Sequence, residues 1–342
     1  MRQVADFKEE ELLSIIFPHL PAGKHTLVGP GDDCAEISSS PSFVVTTDVL
    51  VENQHFRRDW STAAEIGARA AMQNLADIAA MGAVPTAVET ALVLPDSTPV
   101  DWLGGFADGL GCAVKSTGAG VVGGDLSRGP LIVISVTVQG TCVGDGVKSP
   151  VLRSGAKPGD VVAVAGTLGC SAAGLAALTI GAVHPSLHGD EVPEPFTEVI
   201  RVFRVPQPPL TQGRTAALAG ATAMMDVSDG LALDAKRLAA ASGVSINFFS
   251  EALAADVQVL AAVSQELEKT SRKVETDPWE WVLYGGEDHS LLATFPSEAS
   301  LPDGFRVIGE VGELAKAPAG SEVARVSLEG QPIGGGWQHF GS

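Results

Sequence analysis

Cysteine is scarce: Cys34, Cys112, Cys142 and Cys170 are the four in 342 residues, and no two form a CxxC pair. That spacing offers neither a zinc knuckle nor a disulfide framework, so a reducing cytoplasm is the simplest setting. No uninterrupted apolar run reaches the ~18 residues of a membrane span. The start, Met1-Arg2-Gln3-Val4-Ala5-Asp6, lacks the apolar stretch of a secretion signal. Positive charge is in deficit, with 22 Lys and Arg against 41 Asp and Glu and a net charge of −19. Such a surface repels phosphate backbones and anionic bilayers, which excludes nucleic acid and membrane as expected partners. Common catalytic signatures are missing too. GxxxxGK(S/T), HExxH and GxSxG are absent, and the seven histidines are dispersed. Gly118-Ala119-Gly120-Val121-Val122-Gly123 has the letters of GxGxxG. It runs into a predicted strand, whereas a dinucleotide loop leaves a strand and opens a helix.

What is present suits a folded chain with a buried core. Hydrophobic residues make up 45% and charged residues 18%, enough for a sizeable core, and ~150 residues per domain suggests two domains. In the first half, helices are predicted at 6–20, with an Asp6/Glu9 capping box, at 62–81, with Thr62/Glu65 and a Gly82 stop, and near 102–115. Strands are predicted at 43–51, 87–94, 120–122 and 131–139. The Gly-, Lys- and Pro-rich stretch 143–159 reads as a hinge, dividing the chain into 1–148 and 149–342. Beyond it come a strand at 161–165, a helix at 170–178, and a Pro- and His-dotted segment 181–209, read as a long surface loop or irregular helix. A further α/β series runs from 211 to about 311. The alternation gives an α/β or α+β fold class with two domains.

Carboxylates recur at the ends of predicted elements, each beside Gly, Thr, Ser or Asn. They lie in Gly31-Asp32-Asp33, Thr46-Thr47-Asp48, Asn74-Leu75-Ala76-Asp77, Gly123-Gly124-Asp125 and Asp226-Val227-Ser228-Asp229-Gly230. A lone Asp beside Gly is ordinarily a turn or cap residue, and Asp226 or Ser228 would serve as a cap for a helix over 231–241. Five such sites in apolar surroundings read differently. Gathered together they repel strongly unless cations intervene, and oxygen-only ligands suit Mg²⁺ shared with phosphates. A chain this acidic would hold a phosphate donor through metal rather than through a lysine cradle.

These motifs, with His55-Phe56, Asn74 to Gly82, Arg153 to Asp160, Gly285-Gly286-Glu287-Asp288 and Gly336-Trp337-Gln338-His339-Phe340, resemble those of the thiamine-monophosphate kinase family. They occur in family order from about residue 28 to 340. The resemblance implies an aminoimidazole ribonucleotide synthetase-like fold: an N-terminal α+β domain whose sheet pairs across a homodimer, and a C-terminal α/β domain. It implies ATP as co-substrate, several Mg²⁺ ions, and transfer of the ATP γ-phosphate to thiamine monophosphate by direct in-line attack without a phosphoenzyme.

Carried over by position, Asp33, Thr46, Thr47, Asp48, Asp77, Asp125, Asp226 and Asp229 match Mg²⁺ ligands. Gly124, Asp125, Arg153 and Ser228 match positions that hold ATP, and His55, Glu287 and Trp337 match positions that hold thiamine phosphate. Asp32 either ligates metal or orients Asp33. No residue is assigned as a chemical catalyst. The sequence departs from the family in Ala76, where Ser is frequent, and in His289-Ser290, where a Tyr-Glu pair is frequent. The alternatives are another ATP-dependent enzyme of the superfamily, such as a selenophosphate synthetase-like protein, and a non-catalytic nucleotide-binding homologue.

Overall fold

Strict alternation along Val133–Thr141 organises the first half of the chain. Ile134, Val136 and Val138 are at most 1% exposed, while Val133, Ser135, Thr137 and Gln139 are half-buried on the opposite face, the period-2 signature of a strand. In a computed structural model that describes residues 2–29, 35–39, 42–142, 144, 146–270, 274–315 and 325–336, the chain forms two compact units. One comprises 1–78 with 83–148, the other 79–82 with 149–342. No helix among the described residues is long and apolar enough to cross a membrane.

The first unit contains α1 (Glu9–Ile16), β1 (Thr26–Val28), β2 (Glu36–Ile37), β3 (Val44–Val51), α2 (Ala63–Ala80), β4 (Val84–Leu94), α3 (Val100–Lys115), β5 (Gly120–Arg128) and β6 (Val133–Thr141). Strands β3, β6, β4 and β5 form one sheet in that order, antiparallel except for the β4–β5 pair. That parallel pair requires the crossover supplied by α3. Helices α2 and α3 touch backbone to backbone: a Cβ at Gly67 would strike the Phe106 carbonyl, and one at Gly109 the Ala64 carbonyl. Helix α2 begins at the expected box, with Glu65 N donating to Thr62 Oγ1 and Thr62 N to Glu65 Oε2. The first helix differs from expectation. It starts at Glu9, with Lys8 N donating to Glu11 Oε2, while Asp6 instead accepts from Gln3 N. GxGxxG letters at 118–123 pass from a turn into β5 and open no helix.

The second unit contains β7 (Val161–Ala165), α4 (Cys170–Ile180), α5 (Thr197–Arg204), α6 (Leu210–Leu218), β8 (Ala223–Val227), α7 (Leu231–Ser242), β9 (Val244–Phe248), α8 (Ser250–Glu268), α9 (Pro278–Tyr284), β10 (Ser290–Phe295), β11 (Phe305–Glu313), β12 (Val326–Leu328) and β13 (Gln331–Pro332). The sheet order is β13-β12-β9-β11-β7-β10-β8. Strands β8 and β10 are buried along their whole length, which is why they read as apolar runs rather than alternations. Ala79 and Ala80 join this unit's core beside Met224, Leu291 and Phe295.

Segment 181–209 combines the two readings: 181–196 is an irregular stretch of turns with many exposed residues, and a helix follows it. That helix is α5, whose Val199, Ile200, Val202 and Phe203 are buried, and Gly174 of α4 lets the Val199 carbonyl approach closely. Arg204, 2% exposed, donates to the carbonyls of Pro185 and Leu187 and ties the preceding loop down.

Candidate active site

The pleat of β3 divides its polar residues between two faces. Thr46 and Asp48 are half-buried on one side, and Thr47 is exposed on the other. Thr46 Oγ1 donates to Asp77 Oδ2 at 2.5 Å. Thr47 Oγ1 instead donates to the Val136 carbonyl and accepts from Thr137 Oγ1, both at 3.1 Å, so its hydroxyl lies away from the Thr46–Asp77 pair. One turn before Asp77 on α2, Asn74 is 1% exposed and gives its amide to the Ala70 carbonyl at 3.0 Å. Its buried Oδ1 has no hydrogen-bond partner among the described residues.

On β5, Gly124 and Asp125 are exposed, and Ser127 Oγ donates to Asp125 Oδ2 at 2.8 Å. They border a cavity of about 650 Å³ walled by apolar residues including Leu13, Phe17, Phe106 and Val121. Thr90, which faces Gly124 across β4–β5, also lines it, and its buried hydroxyl is unpaired among the described residues. In the turn after β3, the Val51 N–H donates to His55 Nδ1 at 3.0 Å. That hydrogen bond makes Nδ1 the acceptor and leaves the proton on Nε2. Buried Glu52 braces the same turn, accepting from Arg58 Nε at 2.5 Å and from Ile132 N at 3.2 Å.

In the second unit, Asp226, next to last in β8, is 3% exposed and meets His289 Nδ1 through Oδ2 at 3.1 Å. His289 Nε2 stands 3.8 Å from Glu287 Oε2. Burial lowers the His289 pKa, but the Asp226 contact and the negative charge of Asp226 and Glu287 outweigh it and raise the pKa to about 10. Asp288 accepts from Thr167 Oγ1 and Cys170 N through Oδ1, and from Ser171 N through Oδ2, filling the N-terminus of α4. Ser228 N and Asp229 N both donate to Asp234 Oδ2, at 3.0 and 2.9 Å. Arg237 Nη1 donates to Asp229 Oδ2 at 2.5 Å and to Asp234 Oδ1 at 2.7 Å. Burial pushes Asp234 up to about 6, partly offset by the backbone N–H of Asp229. Exposed Arg153 is fixed through its carbonyl, which accepts from Ser242 Oγ at 2.8 Å.

The structure therefore joins Thr46 with Asp77, and Asp226 with Glu287 through His289. Thr47 is on the other face of its strand, Asp229 is held by Arg237, and Asp33 and Trp337 lie outside the described residues. Among the described residues no three His, Cys, Asp or Glu side chains gather closely enough to hold a metal alone. Mg²⁺ does not need such a cage, because it is commonly bound by one or two carboxylates together with waters and substrate phosphates. The all-oxygen chemistry of Thr46, Asp77 and the orphaned Asn74 Oδ1 fits it.

Two family domains match the chain: the AIR synthase related protein N-terminal domain over residues 31–144 and its C-terminal domain over 157–286. Thiamine-monophosphate kinase of Mycobacterium tuberculosis is 45% identical over 318 residues, covering 92% of this chain and 86% of its own. The chain belongs to the thiamine-monophosphate kinase family. The Corynebacterium glutamicum member is 36% identical over 98% of this chain and 95% of its own. Among solved structures, AaThiL complexed with AMPPCP and TMP superimposes with a TM-score of 0.73 at 31% identity, covering 99% of both chains. Hydrogenase maturation protein HypE in complex with ATP shares the fold, with a TM-score of 0.66 at 16% identity over 98% of this chain and 96% of its own.

Within this thiamine-monophosphate kinase family frame, Asp234, Arg237, Asp288 and His289 are residues the motif reading left without a role. A signal existed for two of them: Asp234 interrupts the apolar run Leu231-Ala232-Leu233-Asp234-Ala235 and pairs with Arg237 at i,i+3. His289 was visible as a departure from the frequent Tyr, but its contact with Asp226 was not, since Asp226 is 63 positions away and only the β8–β10 ladder brings them together.

Proposed function

We propose that this chain transfers the γ-phosphate of ATP to thiamine monophosphate in a single in-line step, releasing thiamine diphosphate and ADP. The 45% identity to a thiamine-monophosphate kinase across 92% of the chain carries this reading. The substrate phosphate is already ionised near neutral pH, so no strong general base is required and catalysis is positioning plus charge neutralisation.

Mg²⁺, when bound, supplies the positive charge that lets two polyanionic reactants approach. Its proposed ligands are Asp33, Thr46, Thr47, Asp48, Asp77, Asp125, Asp226 and Asp229, with Thr47 limited to its backbone carbonyl by the position of its hydroxyl. Gly124, Asp125, Arg153 and Ser228 are proposed to hold ATP. The apolar cavity beside Gly124 suits a nucleobase, with the Thr90 hydroxyl available to its polar edge. His55, with its proton on Nε2, donates to the acceptor phosphate. Glu287 accepts from the pyrimidine amine, and Trp337 stacks on the cationic thiazolium or the pyrimidine, a contact of ~0.5–2 kcal/mol. Residues 1–148 would contribute the Mg/ATP and dimer-forming part, and 149–342 would complete the ATP and substrate site. The working form is a cytoplasmic homodimer paired through the β3–β6 sheet face, where Val45 and Val49 are 58% and 48% exposed.

The test is ADP release from ATP and Mg²⁺ with and without thiamine monophosphate, alongside detection of thiamine diphosphate. Release that depends on thiamine monophosphate is expected; equal release in its absence, or none, overturns the reading. Incubation with γ-labelled ATP alone leaves no stable label on the protein if transfer is direct.

A further inference from the structure

His289 occupies the frequent Tyr position of the family's Tyr-Glu pair, and a phenol has one polar atom whereas an imidazole ring presents two nitrogens on opposite edges. The ring is 3% exposed, and its direction is fixed by the backbone. His289 and Glu287 both adopt left-handed conformations, at φ 53° and 69°. Non-glycine residues hold that region only when their surroundings fix them. Here the fixing is explicit: Glu287 N donates to the Ser228 carbonyl at 2.8 Å and His289 N to the Val227 carbonyl at 3.0 Å. Between them Asp288 is locked onto the start of α4 by three donors. Gly286 lies so close to the Ser228 carbonyl that a Cβ there would collide with it.

From this fixed base Nδ1 reaches Asp226 Oδ2 at 3.1 Å. Nε2 is buried without a hydrogen-bond partner among the described residues, and Glu287 Oε2 is 3.8 Å from it. Burying a ring nitrogen without a partner is costly. Glu287, whose side chain is 37% exposed, is the partner able to move the remaining distance.

We propose that His289 is a positioning residue that orients two ligand-directed carboxylates at once, Asp226 through Nδ1 and Glu287 through Nε2. Through this ring the orientation of a metal-directed group and that of a substrate-directed group are coupled in this chain, an arrangement that a phenol, with one donor atom, does not provide. The inference rests on the roles proposed above for Asp226 and Glu287.

Two near-isosteric variants separate the two edges. His289→Asn retains a donor at the place of Nδ1, and His289→Gln one at the place of Nε2. Calorimetric titration of thiamine monophosphate without ATP, and of Mg²⁺ with a nonhydrolysable ATP analogue, is combined with steady-state kinetics. Outer partners of metal ligands typically alter affinity 10–100-fold. His289→Asn is therefore expected to weaken thiamine monophosphate binding about tenfold and raise its KM, with the Mg²⁺ affinity within about twofold of wild type. His289→Gln is expected to do the reverse. Equal losses on both titrations in both variants, no loss in either, or a collapse of the melting temperature in both would each overturn the proposal, because the ring would then be packing only. A wild-type chain that releases no ADP with thiamine monophosphate would instead count against the functional reading, leaving the two titrations to judge the coupling.

Discussion

Thr46 and Asp77, 31 positions apart, meet through a 2.5 Å hydrogen bond from the Thr46 hydroxyl to Asp77 Oδ2. A hydroxyl that has given its proton to a carboxylate presents its lone pairs, so the pair forms a donor set for a hard cation. The neighbouring Thr47 hydroxyl is spent on Val136 and Thr137 across the other face of β3. Thr46→Val should therefore raise the Mg²⁺ concentration for half-maximal ADP release about tenfold, while Thr47→Val should leave it within about twofold. Equal effects from the two variants would contradict the facing of β3.

Asp48 shares the Thr46 side of the strand. If it ligates metal, Asp48→Ala should lower kcat by at least about a hundredfold, the scale seen when a preorganised charge-stabilising group is lost. Without metal present a carboxylate among carboxylates is repulsive, so the melting temperature of the variant should equal or exceed that of wild type. A fully active Asp48→Ala enzyme would refute the metal assignment.

How far the sequence revealed this arrangement depended on whether the signal was local. Helix α2 was legible because Thr62, Glu65 and Gly82 mark its ends within one segment. Strand β7 was legible as a short apolar run bounded by Gly159 and Gly166. Helix α5 was left open between loop and irregular helix, because prolines and histidines upstream masked the Val199-Ile200-Val202-Phe203 stripe, and its stability comes from packing against α4. The carboxylate motifs were legible as a family pattern, but a motif such as Thr46-Thr47-Asp48 conceals the period of its strand. Alternation places adjacent letters on opposite faces. The Asp226–His289 contact exists only because β10 pairs with β8.

The outer face of the first sheet carries Val45 and Val49, 58% and 48% exposed. Exposed apolar strips of this kind mark interaction surfaces. Light scattering should give the wild-type chain a mass of twice 35.1 kDa. The Val45→Lys/Val49→Lys double variant should shift toward the single-chain mass at low concentration, because it places unpaired charges in the interface. A wild-type mass of 35.1 kDa at all concentrations would remove the homodimer from the reading.

Asp288 gives a pH test of the fold that needs no substrate. Burial pushes its carboxyl up to about 7, against the hydrogen bonds from Thr167 and the backbone of Ser171 and Cys170. Its folded pKa thus exceeds the ordinary carboxylate value of about 4. The folded state then holds the proton more tightly than the unfolded chain does, and stability falls as pH rises between those two values. The contribution is complete below about pH 4 and lost above about pH 7, a change on the order of a few kcal/mol. Asp288→Asn removes the titration while keeping the side-chain volume. It also turns an amide donor toward one of the three groups that now donate to the carboxylate, so it should be less stable than wild type at acid pH. That deficit should shrink between about pH 4 and 7 as the wild-type carboxyl ionises at its buried site. Urea unfolding of both proteins across this range measures the difference directly. A gap that stays constant with pH would mean that Asp288 ionises as readily in the folded chain as in the unfolded one, with the helix N-terminus and Thr167 fully offsetting its burial.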